Sequence, residues 1–301
     1  MSAAVLASSI YAGPLDKNKV AENAKWVVHL DFDSFRASKL GGYLTDHILQ
    51  PKLNAAEGAR KLKLSINFKN ISSITAYGPA YEKNGEGVML LETVADVKND
   101  LDALVGLSAT AEADDKQFKI AQQEPYLLYS LDDDVFIAPG VEKMVIVAKS
   151  KEQITNAREV LLGKAANLSA SKTFAEFPAA PQGFFFLGMA EGLGEEAHIP
   201  PQAKVLKETR GGRLVIGENA ETLFFNVVFR GKDAQACTNV SQVLQGLVAL
   251  AKITQQDEDV AALADSAQIG TEAQNVTVTL RLPVQKAIAK INQHHALELD
   301  R

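Results

Sequence analysis

His29, Asp31 and Asp33 stand two residues apart in the stretch WVVHLDFDSF, from Trp26 to Phe35. On an extended strand, side chains two apart share a face, so an imidazole and two carboxylates would gather there. That donor set suits a divalent metal ion, and these three residues are the candidate ligands. The water-facing side of a half-buried strand gives the same alternation without a metal. No second His-rich segment is present to complete a coordination shell. Asp132, Asp133 and Asp134 supply three adjacent carboxylates, but a calcium loop needs alternating ligands and a glycine turn, and this run continues into VFI. It reads as an acidic turn between strands.

Nucleophilic chemistry finds no constellation. There is no G-x-S-x-G elbow and no H-E-x-x-H pair. Cys237, the one cysteine, falls on the apolar stripe of a helical pattern, where a thiol packs as a small hydrophobe. It leaves neither an intrachain disulfide nor a cysteine-based metal site available. Phosphate-cradling glycine loops are missing too, since GLGEE (Gly192 to Glu196) carries carboxylates that repel an anion. No cofactor is called for.

What stands out instead is apolar. Phe184, Phe185, Phe186 and Leu187 are consecutive, and Leu223, Phe224 and Phe225 form a second run. A strand with one wet face alternates, so unbroken runs point to burial on both sides. Phe184, Phe186 and Phe224 are therefore the candidate contacts for an apolar ligand, although internal packing or a partner chain would cover them equally well.

The elements that must position these residues follow from periodicity. Trp26, Val28, Leu30 and Phe32 alternate with His29, Asp31 and Asp33 and predict a strand with its apolar set turned inward. A helix is expected over Lys39–Leu49. Strands follow at 71–81 and 87–93, joined through Asn84-Gly85, a type I′ hairpin signal. Val97, Leu101, Leu104 and Val105 predict another helix. After strands at 125–131 and 143–150, Ser150 and Gln153 form a capping box that opens a helix through Leu161.

The second half repeats this order. A strand at Gly183–Ala190 precedes two or three more within Lys204–Arg230, with Gly211-Gly212 read as a tight turn. A long helix then carries Cys237, Val240, Leu244 and Leu247 on one face. The strand Asn275–Leu282 and a last helix after Pro283 close the chain. The expected architecture is α+β: two tandem ferredoxin-like β-α-β-β-α-β repeats, at 20–168 and 183–301, each with helices on one face of an antiparallel sheet. The proline-containing stretch Ser169–Gln182 reads as their linker.

Length and composition bound the rest. The chain has 301 residues, 47% hydrophobic and 23% charged, with a formal net charge of −6. That composition excludes a disordered chain, and the absence of clustered Lys and Arg argues against nucleic acid. No run reaches the roughly 18 apolar residues of a membrane span. Met1–Ala12 (MSAAVLASSIYA) is apolar and small, and reads as the latter part of a secretory signal cleaved after Ala12. A single thiol then fits a periplasm better than a disulfide-rich exterior.

The stretch ETLFFNVVFRGKDAQACTNVSQVLQGLVALAK, with VTVTLRLPVQKAIAKI downstream, resembles the C-terminal part of uncharacterised exported proteins of planctomycete and verrucomicrobial bacteria. WVVHLDFDSFRASKLGGYL is similar to their opening strand and helix. The resemblance implies export and the α+β architecture, and brings no activity. The sequence thus leads to a non-catalytic, exported structural or protein-interaction module, with a homodimer or protein partner expected. A carrier of a lipid or other apolar ligand is the alternative, and a metal-dependent hydrolase is a third reading.

Overall fold

Strand β1 (Trp26–Asp31) lies at the centre of the molecule because it is bonded on both edges. One neighbour is β2 (Ile71–Gly78); the other is β8 (Phe184–Glu191), from the opposite half of the chain. The computed structural model describes residues 15–52, 70–81, 87–94, 118–123, 126–131, 134–170, 172, 174–192, 205, 207–254 and 258–299. The expected signal segment, the Asn84-Gly85 turn, the helix over Val97–Val105 and Asp132-Asp133 lie outside these residues.

The remaining strands are β3 (Val88–Thr93), β4 (Phe118–Gln123), β5 (Tyr126–Leu131), β6 (Val135–Pro139) and β7 (Met144–Ala148) in the first half. The second half adds β9 (Thr209–Asn219), β10 (Thr222–Gly231), β11 (Gln268–Glu272) and β12 (Asn275–Pro283). All belong to a single 12-stranded sheet of order β11-β12-β10-β9-β8-β1-β2-β3-β7-β6-β5-β4. Every pairing in it is antiparallel.

The α+β class stands, but two self-contained ferredoxin-like sandwiches do not form. In each half three consecutive strands run outward, β1-β2-β3 and β8-β9-β10, and the later ones follow in reverse order, β7-β6-β5-β4 and β12-β11. The β1–β8 ladder then fuses the halves edge to edge, removing an exposed edge from each.

Helices α1 (Phe32–Ala37), α2 (Lys39–Leu44), α3 (Lys151–Leu161), α4 (Ala234–Thr254), α5 (Glu258–Ser266) and α6 (Val284–Leu299) cover both faces, not one. Helix α3 packs Ile154 and Ala157 with Val27, Ile146 and Leu187 on the first face. On the second, Val284 of α6 joins Phe185 and Leu223, with Phe35 and Leu40 beside them. Cys237 and Val240 of α4 sit on Val276, also on that face. One helix start follows its sequence signal, and a second has a cap the sequence reading did not name. Ser150 and Gln153 exchange the reciprocal bonds of a capping box, and Ser38 accepts from the Gly41 amide to open α2.

Three expectations are corrected. In β1 the buried set is Val27, His29 and Asp31, while Val28 is 38% exposed. Gly211-Gly212 lies inside β9; the hairpin turns only after the strand ends at Asn219, at Ala220-Glu221, both at positive φ. A Cβ at Gly211 would sit 2.4 Å from the Ala190 carbonyl oxygen, so this glycine permits close strand approach. Finally, Leu247 faces solvent; the buried stripe of α4 stops near Leu244.

Candidate functional site

The stretch expected to link two domains roofs the sheet instead. Residues 174–183 cross the first face as a strap, and between strap and sheet lies a cleft of about 990 Å³. That volume is at the upper end for small-molecule pockets. Phe174, Phe177 and Ala180 line it from above; Phe184, Leu187 and Met189 form its floor.

Strand register explains why these floor residues point the same way. Leu187 pairs with His29 and Met189 with Val27, all on the strap face. The register slips between Phe184 and Phe186, a bulge that takes Phe185 as an extra residue. Phe184 therefore joins the core under the strap, whereas Phe185 and Phe186 pack against the helices on the other face. The unbroken aromatic run is thus covered on both sides.

The three candidate aromatic contacts accordingly separate. Phe184 lines the cleft. Phe224 is buried in the same core, its ring lying over Gly217, where a Cβ would come within 2.4 Å of it. Phe186 is on the wrong face and meets Leu30 across the β1–β8 ladder.

The candidate metal trio also separates. β1 ends at Asp31 and the chain turns into α1, so Asp33 leaves the strand face and pairs with Arg36. His29 places Nδ1 2.9 Å from Thr75 Oγ1. Asp31 accepts from the Ser34 amide at 2.9 Å and from Ser34 Oγ at 2.6 Å, capping α1. Among the described residues, no group of three or more His, Cys, Asp or Glu side chains is placed to hold a metal.

The cleft has charge at both ends. One end holds Asp31, whose carboxyl is pushed above the ordinary aspartate range by burial, opposed by its bonds to Ser34. Glu218 also lines the cleft, accepting from the Lys39 and Leu40 amides at 3.0 Å each, so it caps α2. At the other end is Arg213, only 5% exposed. By register the ends lie about 13 Å apart along the strands and about 10 Å across them.

Arg213 is the residue that sequence reasoning missed. Its Nη2 donates to Asn226 Oδ1 at 3.0 Å, and Asn226 Nδ2 donates to Thr279 Oγ1 at 3.0 Å. Its Nη1 donates to the carbonyl oxygen of Pro178 in the strap. Its Nε is buried with no hydrogen-bond partner, and burial pulls its pKa below the usual arginine value. The available signal was alternation: Arg213 occupies an inward strand position between Gly211 and Val215, which a turn at Gly211-Gly212 concealed.

Arg230 holds the strap from a second point. Its Nη1 and Nη2 donate to the two carboxylate oxygens of Glu191 at 2.9 and 3.2 Å, and its guanidinium lies 5.8 Å from the Phe177 ring centre. Glu191 also accepts from the Phe174 amide at 3.4 Å. Burial raises the Glu191 pKa, against the pull of Arg230.

No family model and no curated protein sequence matches the chain. Among solved structures, it is similar to the protein TP0453 in crystal form IV, with 7% identity, 93% of this chain and 97% of that one covered, and a TM-score of 0.51. Crystal form III of TP0453 gives 8% identity, coverage of 94% and 99%, and a TM-score of 0.50. At such identities the likeness is one of fold: the arrangement of a broad sheet and its helices extends over nearly the whole of both chains.

Proposed function

We propose that the chain is a non-catalytic binding protein that holds a lipid or other apolar molecule in the cleft beneath the strap. The observation that carries this reading is the cleft itself, about 990 Å³, with Phe177, Ala180 and Phe184 among its apolar walls and Lys17, Asp31, Arg213 and Glu218 among its polar ones. A cleft with apolar walls and a small number of placed polar groups is the usual form of a small-molecule site. Binding rather than catalysis is supported by the employment of Asp31 and Glu218, whose carboxylates cap α1 and α2.

Native mass spectrometry of freshly purified protein is the test. The expected result is a co-purifying apolar mass at up to one per chain, released by organic extraction and restored by adding the extract back. Protein that is free of adduct and takes up nothing from the extract overturns the reading.

A protein-interaction module is the second reading. Its support is the apolar stripe on α4 and α5, where Leu250 is 56% and Ile253 77% exposed, with Leu247 and Val260 beside them. Export to a periplasm is proposed on the apolar run Met1–Ala12 and on the resemblance to exported proteins. Among the described residues, no helix is long and apolar enough to cross a membrane. A tandem origin of the two halves is supported by the order they share, three consecutive strands outward (β1-β2-β3 and β8-β9-β10) and then later strands in reverse.

A further inference from the structure

We propose that Arg213 is the seat of an anionic head group, a carboxylate, on the amphiphile whose apolar part lies in the cleft. The inference rests on the binding reading above and adds the ligand's chemical class and its orientation.

A guanidinium stays charged at any ordinary pH and presents five donors in a rigid fork. Such a group is rarely buried unless an anion accompanies it. Arg213 is 5% exposed, and among the described residues no carboxylate pairs with it. The contrast with Arg230 is direct. That guanidinium, in the same sheet and on the same face, takes the Glu191 carboxylate through two donors.

What Arg213 has instead are two neutral acceptors, the Pro178 carbonyl and the Asn226 amide oxygen, and a buried Nε with nothing to donate to. Neutral oxygens satisfy geometry without compensating charge. A carboxylate entering from the cleft would take the Nη1 donor in place of Pro178, with the second hydrogen of Nη2 beside it as the other prong of the fork. The Asn226–Thr279 pair, behind the guanidinium, would keep it oriented.

The surroundings fix the rest of the ligand. Met189 and Pro178 also line this end of the cleft, and the floor continues through Leu187 to Phe184. A small hydrated anion would lose its water there and gain one ion pair. An anion with an alkyl tail gains the apolar floor as well. Asp31, Glu218 and the cation Lys17 also line the cleft, so the direction of the tail is set by the apolar side chains that run from Met189 through Leu187 to Phe184. Because Pro178 belongs to the strap, replacing its bond to Arg213 removes one of the strap's two anchors and leaves the other, Arg230 through Glu191, in place.

Displacement of the neutral fluorescent probe N-phenyl-1-naphthylamine from extracted, full-length protein tests this. Sodium dodecanoate and methyl dodecanoate are compared at neutral pH, on wild type, Arg213→Gln and Arg213→Lys. The expected result is that dodecanoate displaces the probe from wild type at a concentration at least about tenfold lower than the ester. Arg213→Gln should remove that preference, read as the ratio of acid to ester displacement within the same variant, while Arg213→Lys should keep part of it. Sodium dodecyl phosphate at the same concentrations is the head-group control: weaker displacement than by dodecanoate supports a carboxylate seat, and displacement as strong or stronger overturns that assignment.

Equal displacement of wild type by acid and ester overturns the inference and leaves the binding reading standing. A preference that survives in folded Arg213→Gln also overturns it. Should Arg213→Gln fail to fold, the lysine variant decides, since an unchanged preference there removes the requirement for the guanidinium fork. A wild type that binds neither the probe nor either dodecyl compound overturns the binding reading as well.

Discussion

Asp31 combines two opposed demands in one side chain. It caps α1 through Ser34 and is buried at one end of the cleft, where losing water disfavours its charged form. Its folded pKa is raised, so the native state holds the proton more tightly than the unfolded chain does. Its contribution is therefore favourable below the unfolded value and is lost as pH rises through the folded one. Asn keeps the cap without the charge. Asp31→Asn should accordingly be neutral or stabilising at pH 7, and that difference should disappear below about pH 3.5; urea denaturation at both pH values measures it. A variant clearly less stable at pH 7 than at pH 3.5, relative to wild type, contradicts this account. The alternation of residues 26–31 showed a strand, and the strand is there. Which set lay inside was not legible, because Val27 and Val28 are alike and both faces of the central sheet receive cover.

The strap is the element that turns a sheet face into an enclosure. It has no regular structure of its own, so its position depends on side chains reaching up from β9 and β10. Arg213 bonds Pro178, while Arg230 holds Phe174 through Glu191 and stacks near Phe177. Arg230→Ala would leave the Glu191 carboxylate buried without its cation, a change that costs about 3 kcal/mol in comparable buried pairs. Chemical denaturation should show a loss of that order, and proteolysis within 174–183 should speed up before the sheet unfolds; a loss below about 1 kcal/mol would mean that the pair does not anchor the strap. Proline and small residues at Ser169–Gln182 correctly signalled irregular chain. That this chain packs on the sheet was invisible locally, since Arg213 lies 35 residues beyond the Pro178 carbonyl it holds. The capping box at Ser150, by contrast, is a signal complete within four residues, and it reads directly.

At the scale of the molecule, one sheet spans both halves, and β1 is its junction. The α+β class follows from strand and helix periodicities that each segment carries by itself. The fusion of the halves does not, because whether Trp26–Asp31 pairs with one half or with both depends on partners more than 150 residues apart, such as Val27 with Met189. The same fusion creates the site: β8 and β9 floor the cleft, β1 supplies Asp31, and the crossing from one half to the other becomes its roof. Ala180 lines that roof with a small side chain, so Ala180→Trp fills the cleft while leaving the floor and both charged ends untouched. Titration of the wild type and this variant with N-phenyl-1-naphthylamine, with circular dichroism confirming that both are folded, addresses the enclosure directly. Wild type should bind one probe molecule saturably and Ala180→Trp at least about tenfold more weakly, a difference of roughly 1.4 kcal/mol. No saturable binding by wild type, or equal affinity in the two proteins, would contradict a ligand beneath the strap.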